Sequence, residues 1–255
     1  MQQTTSTAAD VHVLFGEFVR NVPVGDADYI ERSFQFELEF PGLAAGGSAE
    51  YQYAKGNHCN TLALNLPLTE KATASFAFVG TDTDNPSKMR RGGADAARNP
   101  AQVSAVNTTA DIARLRFAGA DEDGISTDFK SLTLTLNNNV SGEKVLGRLG
   151  AKYVNAGNFE VDIEAQLLFT SGRVIDKIRN NEAVTMDFIL AGADGVIAVD
   201  IPSVTLGGGG REFPENESVL INTTSQAFQD PVLGTSIGVS IIPVPLPGRG
   251  ATTGD

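Results

Sequence analysis

SLTLTLNNNVSG, residues 131–142, is the stretch on which the fold class turns. Leu132, Leu134 and Leu136 alternate strictly with Ser131, Thr133 and Thr135. A period of two puts the leucines on one face of a strand and the hydroxyls on the other. The strand runs into Asn137, Asn138 and Asn139, and asparagine tolerates turn conformations, so the run reads as a turn former.

The same alternation recurs on both sides of this segment. NFEVDIEAQLLFT (158–170) sets Phe159, Val161, Ile163, Leu167 and Phe169 against Glu160, Asp162 and Glu164. In SFQFELEF (33–40), Phe34, Phe36, Leu38 and Phe40 oppose Ser33, Gln35, Glu37 and Glu39. TLALNL (61–66) groups Leu62, Leu64 and Leu66, and KATASFAFVG (71–80) groups Ala72, Ala74, Phe76 and Phe78. Repeated this often, the pattern means half-buried strands, each with one face on a core and one facing water or a partner.

Turn chemistry joins the strands. VTMDFILAGADGVIAVDIPSVTL (184–206) reads as a hairpin around Asp194-Gly195, a pair suited to a type I′ turn. Pro202 predicts an edge or a bulge near the end of its second strand. Further strands are expected within 218–230 and 234–242, and the GGGG run at 207–210 reads as a flexible turn. One helix is predicted over 170–180, capped by Ser171, with Val174, Ile175 and Ile178 as its apolar stripe. These elements form an all-β domain, β-sandwich or barrel-like, with one short flanking α-helix. It is expected over 29–245, after an N-terminal segment (1–28) that could serve as an arm and before a disordered tail (246–255).

A long polar loop at 81–112 interrupts the alternation and carries Lys88, Arg90, Arg91 and Arg98. Loops of that length in a compact domain are functional or disordered. A basic cluster in a chain of net charge −12 and pI about 4.6 suits docking on an acidic neighbour. The acidic balance opposes nucleic-acid gripping, which draws most of its affinity from neutralised phosphates. With the single cysteine Cys59 no intrachain disulfide can form. The start of the chain lacks signal-peptide features, and no segment has the ~20 apolar residues of a membrane helix. The sequons at Asn107, Asn216 and Asn222 therefore read as Asn/Thr-rich turns.

Catalytic patterns are missing. The histidines are His12 and His58, and no G-x-S-x-G elbow accompanies them. His58 and Cys59 are adjacent, so in an extended segment they point to opposite faces. The carboxylates lie at strand spacing, GGGG lacks the Lys-Ser/Thr of a phosphate loop, and DTDN and DEDG lack the spacing of a calcium loop. No catalytic, cofactor or metal residues are assigned, and the chain reads as a non-enzyme.

YIERSFQFELEF (29–40), YQYAKGNHCNTLALNLPLTEKATASFAFVG (51–80) and above all the ordered elements of 129–206 carry a resemblance. In that order they resemble the tail tube (major tail) proteins of long-tailed bacteriophages with flexible, non-contractile tails. The resemblance implies a structural virion protein, made in the bacterial host cytoplasm and located in the tail. Six copies would form a ring, and rings would stack into the conduit for genome ejection into the host. Its partners would be further copies, a tape-measure protein and other tail proteins, with DNA passing unbound and no membrane insertion. On this footing Glu37, Glu39, Glu160, Asp162 and Glu164 are candidate bore-facing acids. Lys88, Arg90, Arg91, Arg98, Asn137, Asn138 and Asn139 are candidate inter-subunit contacts, and 137–150 is a loop at an inner or axial boundary. The alternatives are a carbohydrate-binding or adhesin-like sandwich of a virion surface, for which the absence of Trp is unfavourable, and a tail-terminator or baseplate ring that does not polymerise. A hydrolase with a carboxylate pair would need a cleft.

Overall fold

Leu132 and Leu134 are buried, as their alternation requires, in the middle of an antiparallel sheet. A computed structural model describes residues 17–23, 25–42, 47–91, 104–118, 124–126, 128–170, 172–213 and 215–243. The strands in chain order are β1 (Glu17–Arg20), β2 (Phe34–Phe40), β3 (Glu50–Leu66), β4 (Thr73–Val79), β5 (Asp82–Thr83), β6 (Ile112–Ala118), β7 (Gly124–Ser126) and β8 (Phe129–Asn137). Next come β9 (Ser141–Lys144), β10 (Ala151–Asn155), β11 (Glu160–Leu168), the helix α1 (Arg173–Asn180), β12 (Ala183–Gly192), β13 (Gly195–Thr205), β14 (Gly208–Glu212), β15 (Leu220–Ala227) and β16 (Gly238–Ile242).

One hydrogen-bonded path, β2-β3-β8-β11-β15-β13-β12-β6-β7, folds into two layers and does not close into a barrel. Layer I is β4-β3-β8-β11-β15-β14, and layer II is β7-β6-β12-β13-β16-β1. The layers meet along β13, whose first half pairs with β16 and whose end pairs with β15. Pro202 sits where the partner changes, opposite a register shift on β12. The bulge expected of that proline is present, and its missing N–H falls between the two pairings. Val161, Ile163, Leu167, Leu132 and Leu134 of layer I face Phe117, Met186, Phe188 and Ile201 of layer II, all buried. Helix α1 adds Val174, with Ile175 and Ile178 packed beside it.

Several local expectations are corrected. The β12–β13 turn is centred on Ala193-Asp194, and neither residue has positive φ, so it is not type I′. Gly195 serves another purpose: a Cβ there would lie 2.5 Å from the Ile242 carbonyl oxygen. The helix begins at Arg173 with Gly172 at the N-cap and no side-chain cap; Ser171 lies outside the described residues. The glycines at 207–210 are not a free turn, because Gly208 and Gly209 take positive φ at the start of β14. The 137–150 segment is largely the β9–β10 hairpin. Asn107 and Asn216 lie in turns, whereas Asn222 belongs to β15. Finally, the apolar face of β2 is not on the core: Phe34 and Leu38 are 44% and 42% exposed.

Candidate functional site

Layer I turns its polar face outward, and the cross-strand register sets its composition. Glu160 lies opposite Asn137, and Asn137 opposite Thr61. Asp162 lies between Thr135 and Gln226, and Glu164 between Thr133 and Thr224. The three acids thus stand in a row on β11 among Thr, Asn and Gln, and an open recess of about 830 Å³ lies over Asp162 and Glu164, lined also by Thr135, Thr224 and Gln226. Asp162 accepts a hydrogen bond from the Gln226 amide at 3.2 Å. None of the ion pairs among the described residues involves Glu160, Asp162 or Glu164. Among the described residues their charge is therefore not offset by an ion pair.

Glu37 and Glu39 occupy a different place. β3 is 17 residues long, and its first half leaves layer I to pair with β2 and β5 in a spur. On the polar face of the spur, Glu37 opposes Tyr53 and Glu39 opposes Tyr51. The Tyr53 hydroxyl donates to Glu37 at 2.7 Å and accepts from the Arg91 amide at 2.8 Å. Arg90 pairs with Glu37 and lies over the Tyr51 ring; Arg91 and Lys55 pair with Asp84. Hydrogen bonds from Arg90 and then Tyr53 hold the Glu37 carboxyl below its ordinary value, and Lys55 with Arg91 does the same for Asp84. Two of the four basic residues proposed as contacts thus fasten their own loop to the spur. Lys88 is exposed and Arg98 lies outside the described residues. Sequence reasoning missed Lys55, Tyr53 and Asp84. The YQY alternation at 51–53 was the available signal, since it places both tyrosines across from Glu37 and Glu39.

The opposite face of the spur is aromatic. Phe36 meets Phe78 edge-on with ring centroids 4.7 Å apart, and Phe34 joins at 5.8 Å. Beside them Phe76, on edge strand β4, is 58% exposed.

The asparagine run closes the end of layer I from which the spur projects. The Asn138 amide donates to the Cys59 carbonyl at 2.9 Å, and that of Asn139 to the Asn158 carbonyl at 2.8 Å. Asn139 adopts φ 47°, a left-handed conformation that asparagine accepts more readily than most residues. The run is thus a turn, as expected, and it ties β3, β8 and the approach to β11 together.

A family model for phage tail tube proteins matches residues 1–228 of the chain. The chain belongs to the phage tail tube protein family. The β-rich fold agrees with that membership, which implies a structural role in the virion tail, self-assembly and contacts with other tail proteins. No curated protein matches this tail tube protein. Among its described residues no group of three or more His, Cys, Asp or Glu side chains could hold a metal ion, and no helix is long and apolar enough to cross a membrane. His58 is 3.8 Å from Glu31, while the Cys59 thiol faces the Thr61 carbonyl and burial pushes its pKa up, away from the thiolate a nucleophile needs.

Proposed function

We propose that copies of this tail tube protein close into rings, six to a ring, which stack into the tube of a flexible, non-contractile tail. The tube carries the genome to the host, and its subunits are made in the host cytoplasm. Layer I lines the bore with its polar face. The observation that carries this reading is the row Glu160, Asp162 and Glu164, without an ion pair among the described residues and set among small polar side chains. DNA must cross the bore without adhering, and fixed carboxylates repel phosphates over about a Debye length, ~8 Å at physiological salt. Thr, Asn and Gln keep the surface wet without adding positive charge.

The edges of the fold suit a closed ring. Among the described residues β4 pairs with β3 alone at the end of layer I, apart from the Lys71–Asn107 bridge just before it, and β1 pairs with β16 alone at the end of layer II. Such edges invite pairing with another chain, and a ring removes them by closure. Glu37 contributes less to the field of the bore, because Arg90 neutralises it within the subunit.

Negative-stain electron microscopy over a concentration series, with light scattering and a DNA-binding assay on the same samples, tests the proposal. Rings or hollow tubes that leave DNA unbound at low salt are expected. A monomer at every concentration, or an assembly that holds DNA, overturns it.

A further inference from the structure

Strands β9 and β10 form a two-stranded hairpin outside the main sheet, with Ala151 its one buried residue. It rests on the base of the spur, where a Cβ at Gly150 would fall 2.1 Å from the Thr81 carbonyl oxygen. An isolated two-stranded hairpin is marginal in water. This one nevertheless holds Leu146 fully exposed and Leu149 92% exposed at its tip. Within 141–155 the hairpin carries Lys144, Arg148 and Lys152 and the single acid Glu143, with Asp82 beside Gly150 at its foot. An apolar, basic tip is unusual in a chain of net charge −12.

The complementary surface lies at the other end of the same layer. β8 and β11 run antiparallel, so Asn137 and Glu160 mark the hairpin end, while Phe129 and Leu167 mark the far end. Nine residues at about 3.4 Å each separate the two ends by about 30 Å. Phe169 and Phe213 emerge at the far end, and Phe213 is 73% exposed. Beside them Glu212, Glu215 and Glu217 are exposed, with Arg211 held over the Phe169 ring at 5.1 Å. Glu215 and Glu217 take no part in the ion pairs among the described residues. A shallow recess lined by Lys130, Asn216, Glu217, Ser218 and Leu220 opens next to the patch.

We infer that the β9–β10 tip of one copy docks on the Phe169/Phe213 patch of a second copy, leucines against the phenylalanines and Lys144, Arg148 and Lys152 against Glu212, Glu215 and Glu217. The inference deepens the stacked-ring reading and rests on it for direction: the two surfaces lie at opposite ends of one layer, so the contact is heterologous and repeats along an axis. Opposite charge sets partner and register, while apolar contact supplies affinity. The hairpin sits over the β3–β4 side, and the patch lies at the ends of β11 and β14. Three to four strand spacings of about 4.8 Å separate them, so successive copies are displaced sideways, and stacked rings are rotated about the tube axis.

Full-length chain carrying Leu149→Cys and Glu215→Cys in a Cys59→Ser background, mildly oxidised, tests the contact on a non-reducing gel. A covalent ladder that needs both new cysteines is expected. Its absence overturns the inference, and rings or tubes seen in the same sample would show that the assembly reading stands without it. A ladder without rings keeps the end-to-end contact and removes the ring. Charge reversal gives a second readout that leaves the core untouched. Lys144→Glu with Arg148→Glu, or Glu215→Lys with Glu217→Lys, weakens end-to-end association about tenfold or more, and mixing the two variants restores it. Unchanged association of both variants, with circular dichroism reporting a native fold, also overturns the inference.

Discussion

Glu37 and Arg90, 53 residues apart in the chain, are joined side chain to side chain, with the Arg90 Nε donating to Glu37 Oε2 at 3.0 Å. Together with the Asp84 pairs, this contact fixes the 81–91 segment along β3, where Tyr51 and Ser87 exchange backbone hydrogen bonds at 2.8 and 2.9 Å. Both carboxyls titrate lower in the folded chain than in the unfolded one. Their contribution is therefore present above the unfolded carboxylate range, about 4, and is lost as pH falls through the lowered folded values. The protection of the Tyr51 and Ser87 amides, taken relative to their intrinsic exchange rate at each pH, should fall in acid before the layer I core opens. Arg90→Gln should reproduce that loss of protection at neutral pH. Equal protection of these amides in wild type and variant would refute the prediction.

Gly195→Ala places a methyl 2.5 Å from the Ile242 carbonyl, where backbone and not a flexible side chain must give way. The end of β16 is expected to separate from β13, at a cost of about 1–3 kcal/mol. Denaturant unfolding measures this, and an unchanged midpoint would contradict it.

Phe188→Ala empties a fully buried position at the centre of the interlayer core and should cost about 3–5 kcal/mol. Phe76→Ala, on the exposed β4 face, should cost the isolated subunit only about 1 kcal/mol, from its stacking on Phe78. The pair separates residues that hold the fold from residues that wait for a partner, and equal losses would erase that distinction.

Asn139 combines φ 47° with an amide bond to the Asn158 carbonyl. Asn139→Gly loses the bond at about 1 kcal/mol. Asn139→Val loses it and strains a β-branched residue in the left-handed region, about 1–3 kcal/mol more. Thermal unfolding should rank the chains Asn, Gly, Val in falling stability, and a reversed order of the two variants would reject the turn geometry.

Neutralising Glu160→Gln, Asp162→Asn and Glu164→Gln together removes like charges from one face of β11. The isolated subunit should melt higher at low salt, and the difference should shrink at high salt. Assemblies of the variant should retain DNA more than wild type does. A salt-independent difference in melting would point away from electrostatics.

Strands β8 and β11 were legible because their alternation matches their burial: both are central, and the core presses on one face only. β2 shows the limit of that logic. Its alternation is as regular, yet Phe34 and Leu38 remain exposed. Period two records that a face is apolar and not which molecule covers it. The turn at 193–194 was misplaced for a related reason: Gly195 does take positive φ, 152°, but as the first residue of β13, where it also admits a neighbouring carbonyl, a long-range demand invisible in the local sequence. Among the candidate residues, the β11 acids fall together because one strand carries them. The Glu37–Arg90 pair required knowing which distant loop returns to β3.

β3 belongs to both layer I and the spur, and its backbone is unbroken from Glu50 to Leu66. Its register slips opposite Phe34 and Phe36, next to Gly56 with φ 57°. In mechanical terms the strand is a lever with its fulcrum at Gly56: a load on the spur tip reaches Leu62, Leu64 and Leu66 through covalent bonds, with no side-chain relay. Wherever the spur is seized, the sheet behind it feels the pull along its own strand axis, the direction in which a hydrogen-bonded ladder shears and does not unzip.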